Sequence, residues 1–152
     1  MTGTERGAIL GRFAAGPGRV ASAAAEAQAD RLAGGVRRRP DGWSEREIVA
    51  HLVRVEREVF QVRLRQLADE AEPHWQWVEP GAGPGHASLA TLVGRFSAAR
   101  GATIHYLEGL DDGSWARSGI HVTYGRLDVA GLLGIAVDHD TDHIAELERR
   151  AG

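Results

Sequence analysis

The sequence predicts an all-α fold, a bundle of four helices, and three observations carry that prediction. In four separate stretches apolar residues recur at three- and four-residue steps, as the buried face of a helix with about 3.6 residues per turn requires. The segments between them, 71–85 and 110–126, are broken by Pro or Gly and do not keep that period. One helix start is written out in full, with Ser44 and Glu47 as a capping box and Trp43 and Ile48 as the hydrophobic staple across it. The 152 residues read as one domain spanning 1–152, long enough to bury a core without disulfide or metal staples.

The first helix is expected from Thr4 to about Ala33, with a break at Gly16-Pro17-Gly18. A proline inside a helix lacks the N–H for the ladder and its ring clashes with the preceding turn, so a separate short helix is expected before it. The run from Val20 to Leu32 is rich in Ala, which permits close packing but buries little area per residue. Gly34 and Gly35 stand where a left-handed C-cap is wanted. The second helix runs from Ser44 to about Leu67, with Ile48, Val49, Leu52, Val55, Val59 and Val62 inward. Pro73, Pro80 and Pro84 exclude regular structure from 71–85, and Trp75 and Trp77 within it are read as plugging the core rather than covering a pocket.

Ser88 opens the third helix, which turns Leu89, Leu92, Val93, Phe96, Thr103, Leu107 and Leu110 inward and His105 to the surface. The connection 110–126 contains an extended-looking run, Ile120-His121-Val122-Thr123-Tyr124-Gly125. The fourth helix follows from about Leu127, on the stripe Val129, Leu132, Leu133, Ala136, Ile144 and Leu147.

His139 and His143 fall on that inward arc, at its margin and in its body, while Asp138 and Asp142 fall outside it. Residues four apart on a helix have Cβ atoms roughly 5–6 Å apart. Both rings can therefore converge on one ion at metal–nitrogen distances of roughly 2.0–2.1 Å. His51 lies at the edge of the second helix's apolar arc and offers a third imidazole from across the bundle. Bundles place metal and ligand sites between facing helices in this way. Three imidazoles with a solvent position describe an open, reactive site, and they suit zinc, nickel, copper or iron. The alternative is that these are hydrogen-bonded core histidines.

Glu146, at i+3 from His143, is a rival third ligand. Asp140 follows His139 as Glu does in the H-E-x-x-H of zinc peptidases, but it is a methylene shorter and little chain remains for a downstream ligand. Asp140 is instead a candidate for orienting a ligand imidazole through its other nitrogen. His121 and Tyr124 precede the fourth helix and are candidates for touching a ligand or substrate, against a plain capping and packing role. Arg117 offers a bidentate fork to a substrate carboxylate, against a surface ion pair with Asp111 or Asp112.

A net charge of −3, with every basic residue an Arg and one short basic run at Arg37-Arg38-Arg39, argues against nucleic acid as a partner. The chain has no Cys, so any thiol chemistry comes from a substrate or co-substrate. No apolar run approaches the roughly 18 residues of a membrane span, and no signal-peptide pattern opens the chain, which makes the cytoplasm the expected compartment.

Trp43-Ser44-Glu45-Arg46-Glu47-Ile48-Val49-Ala50-His51-Leu52, then Trp115-Ala116-Arg117 with His121 and Gly125, then Asp138-His139-Asp140-Thr141-Asp142-His143-Ile144, resemble the DinB-like (YfiT-type) superfamily. The resemblance extends from about Gly42 to Arg149. It implies a four-helix bundle with a long crossover and a divalent metal, zinc or nickel, on His51, His139 and His143. It also implies a homodimer and kinship with thiol-dependent S-transferases and isomerases that use bacillithiol, mycothiol or glutathione. The function expected on that basis is a metal-dependent transferase joining a low-molecular-weight thiol to a small electrophile, because a bound cation favours the thiolate. Two alternatives stay open, a metal-dependent hydrolase of a small substrate and a non-catalytic, stress-related bundle that binds metal or a small molecule. Gly16-Pro17-Gly18 departs from the family pattern and bears on the dimer surface or a pocket wall.

Overall fold

In the computed structural model, which describes residues 1–33, 42–81 and 83–151, four helical rods form the molecule. The first is α1, Gly3–Leu32; the second comprises α2, Glu45–Val55, a π-helical turn at Glu56–Phe60, and α3, Gln61–Asp69. The third is α4, Leu89–Glu108, and the fourth α6, Val129–Ala151. Between the rods lie the two-residue strand β1, His74–Trp75, the short helix α5, Asp112–Ala116, and the strands β2, Ser118–His121, and β3, Gly125–Asp128. The rod α1 packs most extensively on α6, and α4 packs on α2 and α1.

The helix starts follow local chemistry. Thr2 and Glu5 form a capping box on α1, Ser44 and Glu47 form the expected one on α2, and Ser88 accepts from the Thr91 N–H at the head of α4. Asp128 accepts from the Gly131 N–H, so α6 begins at Val129 rather than at Leu127, which is spent in β3. The expected C-cap at Gly34 and Gly35 and the basic run Arg37-Arg38-Arg39 lie outside the described residues.

Three expectations are corrected. The first helix is not broken at Gly16-Pro17-Gly18; α1 continues through a buried Pro17. The carbonyl that Pro17 leaves without its ladder partner, that of Phe13, accepts a hydrogen bond from Arg100 Nη1 at 2.7 Å, which offsets the lost ladder bond of a mid-helix proline. The second helix does not keep one register to Leu67. The π-helical turn inserts an extra residue into the spiral, so Val62 is turned outward and 40% exposed, while Phe60, Leu64 and Leu67 are buried in its place. Finally, 71–85 is not devoid of regular structure. β1 pairs in parallel with β2, His74 against Ile120 and Trp75 against His121, and β2 pairs antiparallel with β3. The hairpin returns through a loop ending at Gly125, whose φ of 75° suits Gly.

The core is divided. One apolar cluster gathers Ile9, Phe13, Val59, Phe60, Leu64 and Leu132 with their neighbours, and the other Val20, Ile48, Leu52, Leu92, Phe96 and Ile144 with theirs. On every rod the boundary between them is polar, with the Phe13 carbonyl and Gly16 on α1, Glu56 on the second rod, Arg100 and Thr103 on α4 and Asp140 on α6. Arg100 is 1% exposed and spends all five guanidinium N–H groups there. They reach Glu56 Oε2 and Oε1 at 3.1 and 3.0 Å, Asp140 Oδ2 and Oδ1 at 2.8 and 3.1 Å, and the Phe13 carbonyl. Its Cζ also lies 3.9 Å from the Phe13 ring centroid. Thr103 Oγ1 donates to Glu56 Oε2 at 2.8 Å.

A candidate three-histidine metal centre

The polar layer delivers α6 to the second rod with His139 and His143 facing His51. The Nε2 atoms meet: His139 Nε2 lies 3.2 Å from His51 Nε2 and 3.2 Å from His143 Nε2. Tetrahedral ligands at roughly 2.0–2.1 Å from one ion stand about 3.3 Å apart, so the spacing suits a metal. One ligand atom from each ring lies within 4.8 Å of the others, and His51 is fully buried.

Outer contacts orient the rings. His51 Nδ1–H donates to the Pro80 carbonyl at 2.7 Å, and His143 Nδ1–H to Glu146 Oε1 at 3.0 Å. In their neutral forms both rings therefore present a lone pair at Nε2. His139 Nε2 carries one proton at most and can donate it to one of the two, which leaves the other 3.2 Å contact as lone pair against lone pair. A cation resolves that conflict, and this donor chemistry is the structural test that the site fits a metal ion. Burial lowers the His51 pKa, and burial with the neighbouring His143 and His51 lowers that of His139 to about 3, so both stay neutral ligands near pH 7. Trp43, expected only as a staple, also covers the cluster, its ring 4.8 Å from that of His51 and stacked 6.3 Å from that of His143.

A cavity of about 190 Å³ opens beside His139. Val55, Val59, Phe60 and Ile135 give it an apolar wall, while Glu79, Asp138 and Asp142 stand at its histidine end. Glu79 Oε1 lies 3.7 Å from His51 Nε2, and its Oε2 accepts from Trp77 Nε1 at 3.1 Å.

The chain matches the family model of the DinB superfamily over residues 12–147, which takes in every rod and all three histidines. The chain belongs to the DinB superfamily. Its fold is similar to that of YfiT from Bacillus subtilis, described as a probable metal-dependent hydrolase with an unusual four-helix bundle topology. That likeness has a TM-score of 0.71 at 18% identity and covers 99% of this chain and 89% of the other. No curated protein matches the sequence.

Within this DinB-superfamily chain the remaining candidates separate. Glu146 holds the far nitrogen of His143 rather than facing the cluster as a third ligand. Asp140 does not orient an imidazole; both of its oxygens are taken by Arg100. His121 and Tyr124 line the cavity, but Arg117 does not, and its Nη2 donates to the Glu70 carbonyl on the outside. The surface pairing weighed for Arg117 also goes elsewhere, since Asp112 pairs with Arg6 and Asp111 caps α5. Of the two loop tryptophans, Trp75 is the buried plug and donates to Gln66 Oε1, whereas Trp77 is exposed at the cavity mouth. The sequence reading missed Arg63, a buried cavity residue. Its signal was present once the π-helical turn is allowed for, because Val59, Arg63 and Leu67 follow at four-residue steps.

Proposed function

We propose that this chain is a metal-dependent enzyme acting on a small molecule, with a divalent ion of the zinc or nickel kind held by His51, His139 and His143. The observation that carries the reading is the convergence of three Nε2 atoms beside a cavity, with Glu146 committed to the outer nitrogen of His143 and Glu79 Oε1 standing 3.7 Å from His51 Nε2. A bound divalent ion supplies Lewis acidity, polarising a carbonyl and lowering the pKa of water or a thiol. The chain's own part is to keep the imidazoles neutral and aimed, through Pro80 and Glu146, and to offer a partly apolar chamber at the edge of the cluster.

Hydrolysis is the reading we favour, since a cavity of about 190 Å³ suits a small substrate with water as nucleophile. The structural relative described as a probable metal-dependent hydrolase supports the same choice. Transfer to a low-molecular-weight thiol is the second reading. It is favoured by the exposed Trp77 at the cavity mouth, where the rest of a larger co-substrate would extend, and by the absence of Cys, which leaves the thiol to be supplied from outside.

The test is elemental analysis of protein purified without a metal-affinity tag, for the native chain and for His51→Ala. The native chain is expected to carry about one divalent ion per cluster and the variant to lose it. A native chain that carries none, and takes up neither zinc nor nickel on titration, would end the enzymatic reading. With metal present, release of a chromophore from small ester or amide probes, against conjugation of an added thiol to an electrophile, separates the two reactions.

A further inference from the structure

Another stretch of the cavity wall carries a cation that, among the described residues, has no carboxylate partner. Arg63 is 7% exposed, yet among the described residues its guanidinium donates one hydrogen bond, from Nη2 to the Gln76 carbonyl, and makes no ion pair. It rests 5.7 Å from the Trp75 ring, which supports the cation without neutralising it. A guanidinium does not escape by losing its proton, so a buried one without a carboxylate is costly. The same protein shows the alternative, for Arg100, more deeply buried, meets two carboxylates.

His121 stands beside it in the same wall and is 2% exposed. Its Nδ1 accepts from the backbone N–H groups of Thr123 at 2.9 Å and Tyr124 at 3.4 Å, so the neutral ring carries its proton on Nε2. Burial and the Arg63 charge lower the His121 pKa, which keeps the ring in that neutral form. Among the described residues Nε2–H has no protein acceptor, and it keeps access to solvent, so it is open to the cavity that His121 lines. Tyr124 adds a phenol to the same wall, its ring 4.9 Å from that of His121. Exposed Trp77 lies edge-on to His121 at 6.3 Å.

We propose that this end of the cavity binds the carboxylate of a small, partly apolar organic acid. The anion takes the free guanidinium N–H groups of Arg63 and the Nε2–H of His121, and the apolar body lies along Val55, Val59, Phe60 and Ile135 towards the histidine end. The volume matches such a molecule, since an apolar cavity of about 150 Å³ holds benzene. The carboxylates at the other end, Glu79, Asp138 and Asp142, are exposed to solvent and make no pair with Arg63, so they leave its charge for a ligand. This inference deepens the metal-site reading by naming the substrate class of the same cavity.

The experiment is calorimetric titration of chelator-treated, dialysed protein with benzoate and with its neutral isostere benzamide, for the native chain and for Arg63→Gln. Working without metal removes direct coordination of the carboxylate as an explanation. The native chain is expected to bind benzoate about tenfold or more tightly than benzamide, and Arg63→Gln to lose that factor for benzoate while binding benzamide unchanged. Equal binding of acid and amide by the native chain, no binding of benzoate, or full binding of benzoate by Arg63→Gln would each overturn the proposal. Thermal melting checks that the variant folds; if it does not, the acid-against-amide comparison on the native chain decides alone. Arg63-dependent benzoate binding in a chain that takes up no metal would sink the metal reading and leave the acid-binding site standing.

Discussion

His139 is the imidazole whose protonation is shifted furthest by burial and neighbouring charge. In the folded chain its imidazole stays neutral until the pH falls to about 3, because it is buried and faces two other imidazoles. In the unfolded chain it takes up a proton near pH 6.5. The unfolded state therefore binds the extra proton between these values. The stability contributed by the neutral native ring is present in full above about 6.5 and is lost as the pH falls towards 3, by at most about 1.4 kcal/mol per pH unit. In metal-free protein, urea unfolding followed from about pH 6 to pH 4 should show a steeper loss for the native chain than for His139→Gln. Parallel curves would mean that the ring is not held neutral. Protons compete for the same lone pair as the ion, so metal release should follow acidification over the same range.

Among the elements, α1 is the informative one, because the three residues Gly16, Pro17 and Gly18, through which it runs unbroken, meet different surroundings. A Cβ at Gly16 would stand 2.4 Å from Asp140 Oδ2 and 2.8 Å from Arg100 Nη1, whereas a Cβ at Gly18 would meet nothing within 4 Å. Gly16→Ala is expected to destabilise by about 1–3 kcal/mol, as overpacking does. Gly18→Ala, in the same helix and two residues away, is expected to stabilise by about 0.5–1 kcal/mol through its effect on backbone entropy. Opposite signs in denaturant unfolding are the check. Pro17 lies between them and frees the Phe13 carbonyl for Arg100. The π-helical turn at Glu56–Phe60 makes a second adjustment, changing which side chains of the second rod face inward at the point where Glu56 meets the same guanidinium.

At the scale of the whole molecule, Arg100 is the tie between all four rods. A buried ion pair with its desolvation cost is weak evidence of stability, but removing one partner leaves the others charged and dry. Arg100→Met is expected to cost about 3–5 kcal/mol at neutral pH, since Glu56 and Asp140 would face each other without a cation. Replacing Arg100, Glu56 and Asp140 together by apolar residues should cost less than the single change, and denaturant midpoints for the two variants test that order. Asp140 is next to His139 in sequence, so the same tie sets the rotation of α6 that presents the imidazoles. Among the described residues no helix is long and apolar enough to cross a membrane.

The fold class, the rod order and the inward histidines of α2 and α6 were legible because each is written in local periodicity and capping, which need only neighbours a turn away. Ser44 with Glu47, and the stripe that carries His139 and His143, are of this kind. Arg100 and Glu56 also lay on apolar stripes, between Phe96 and Thr103 and between Leu52 and Val59, but the sequence reading passed over them. A charged residue on a stripe declares itself buried only when its counter-charge is known, and that charge sits on another rod. The same holds for the continuity of α1 through Pro17 and for the exclusion of Arg117 from the cavity in favour of Arg63. Local pattern determined what this chain builds. Which charges meet, which carbonyl is rescued and which cation is left for a ligand were decided by tertiary structure, because those energies depend on partners 40 to 88 residues away along the chain.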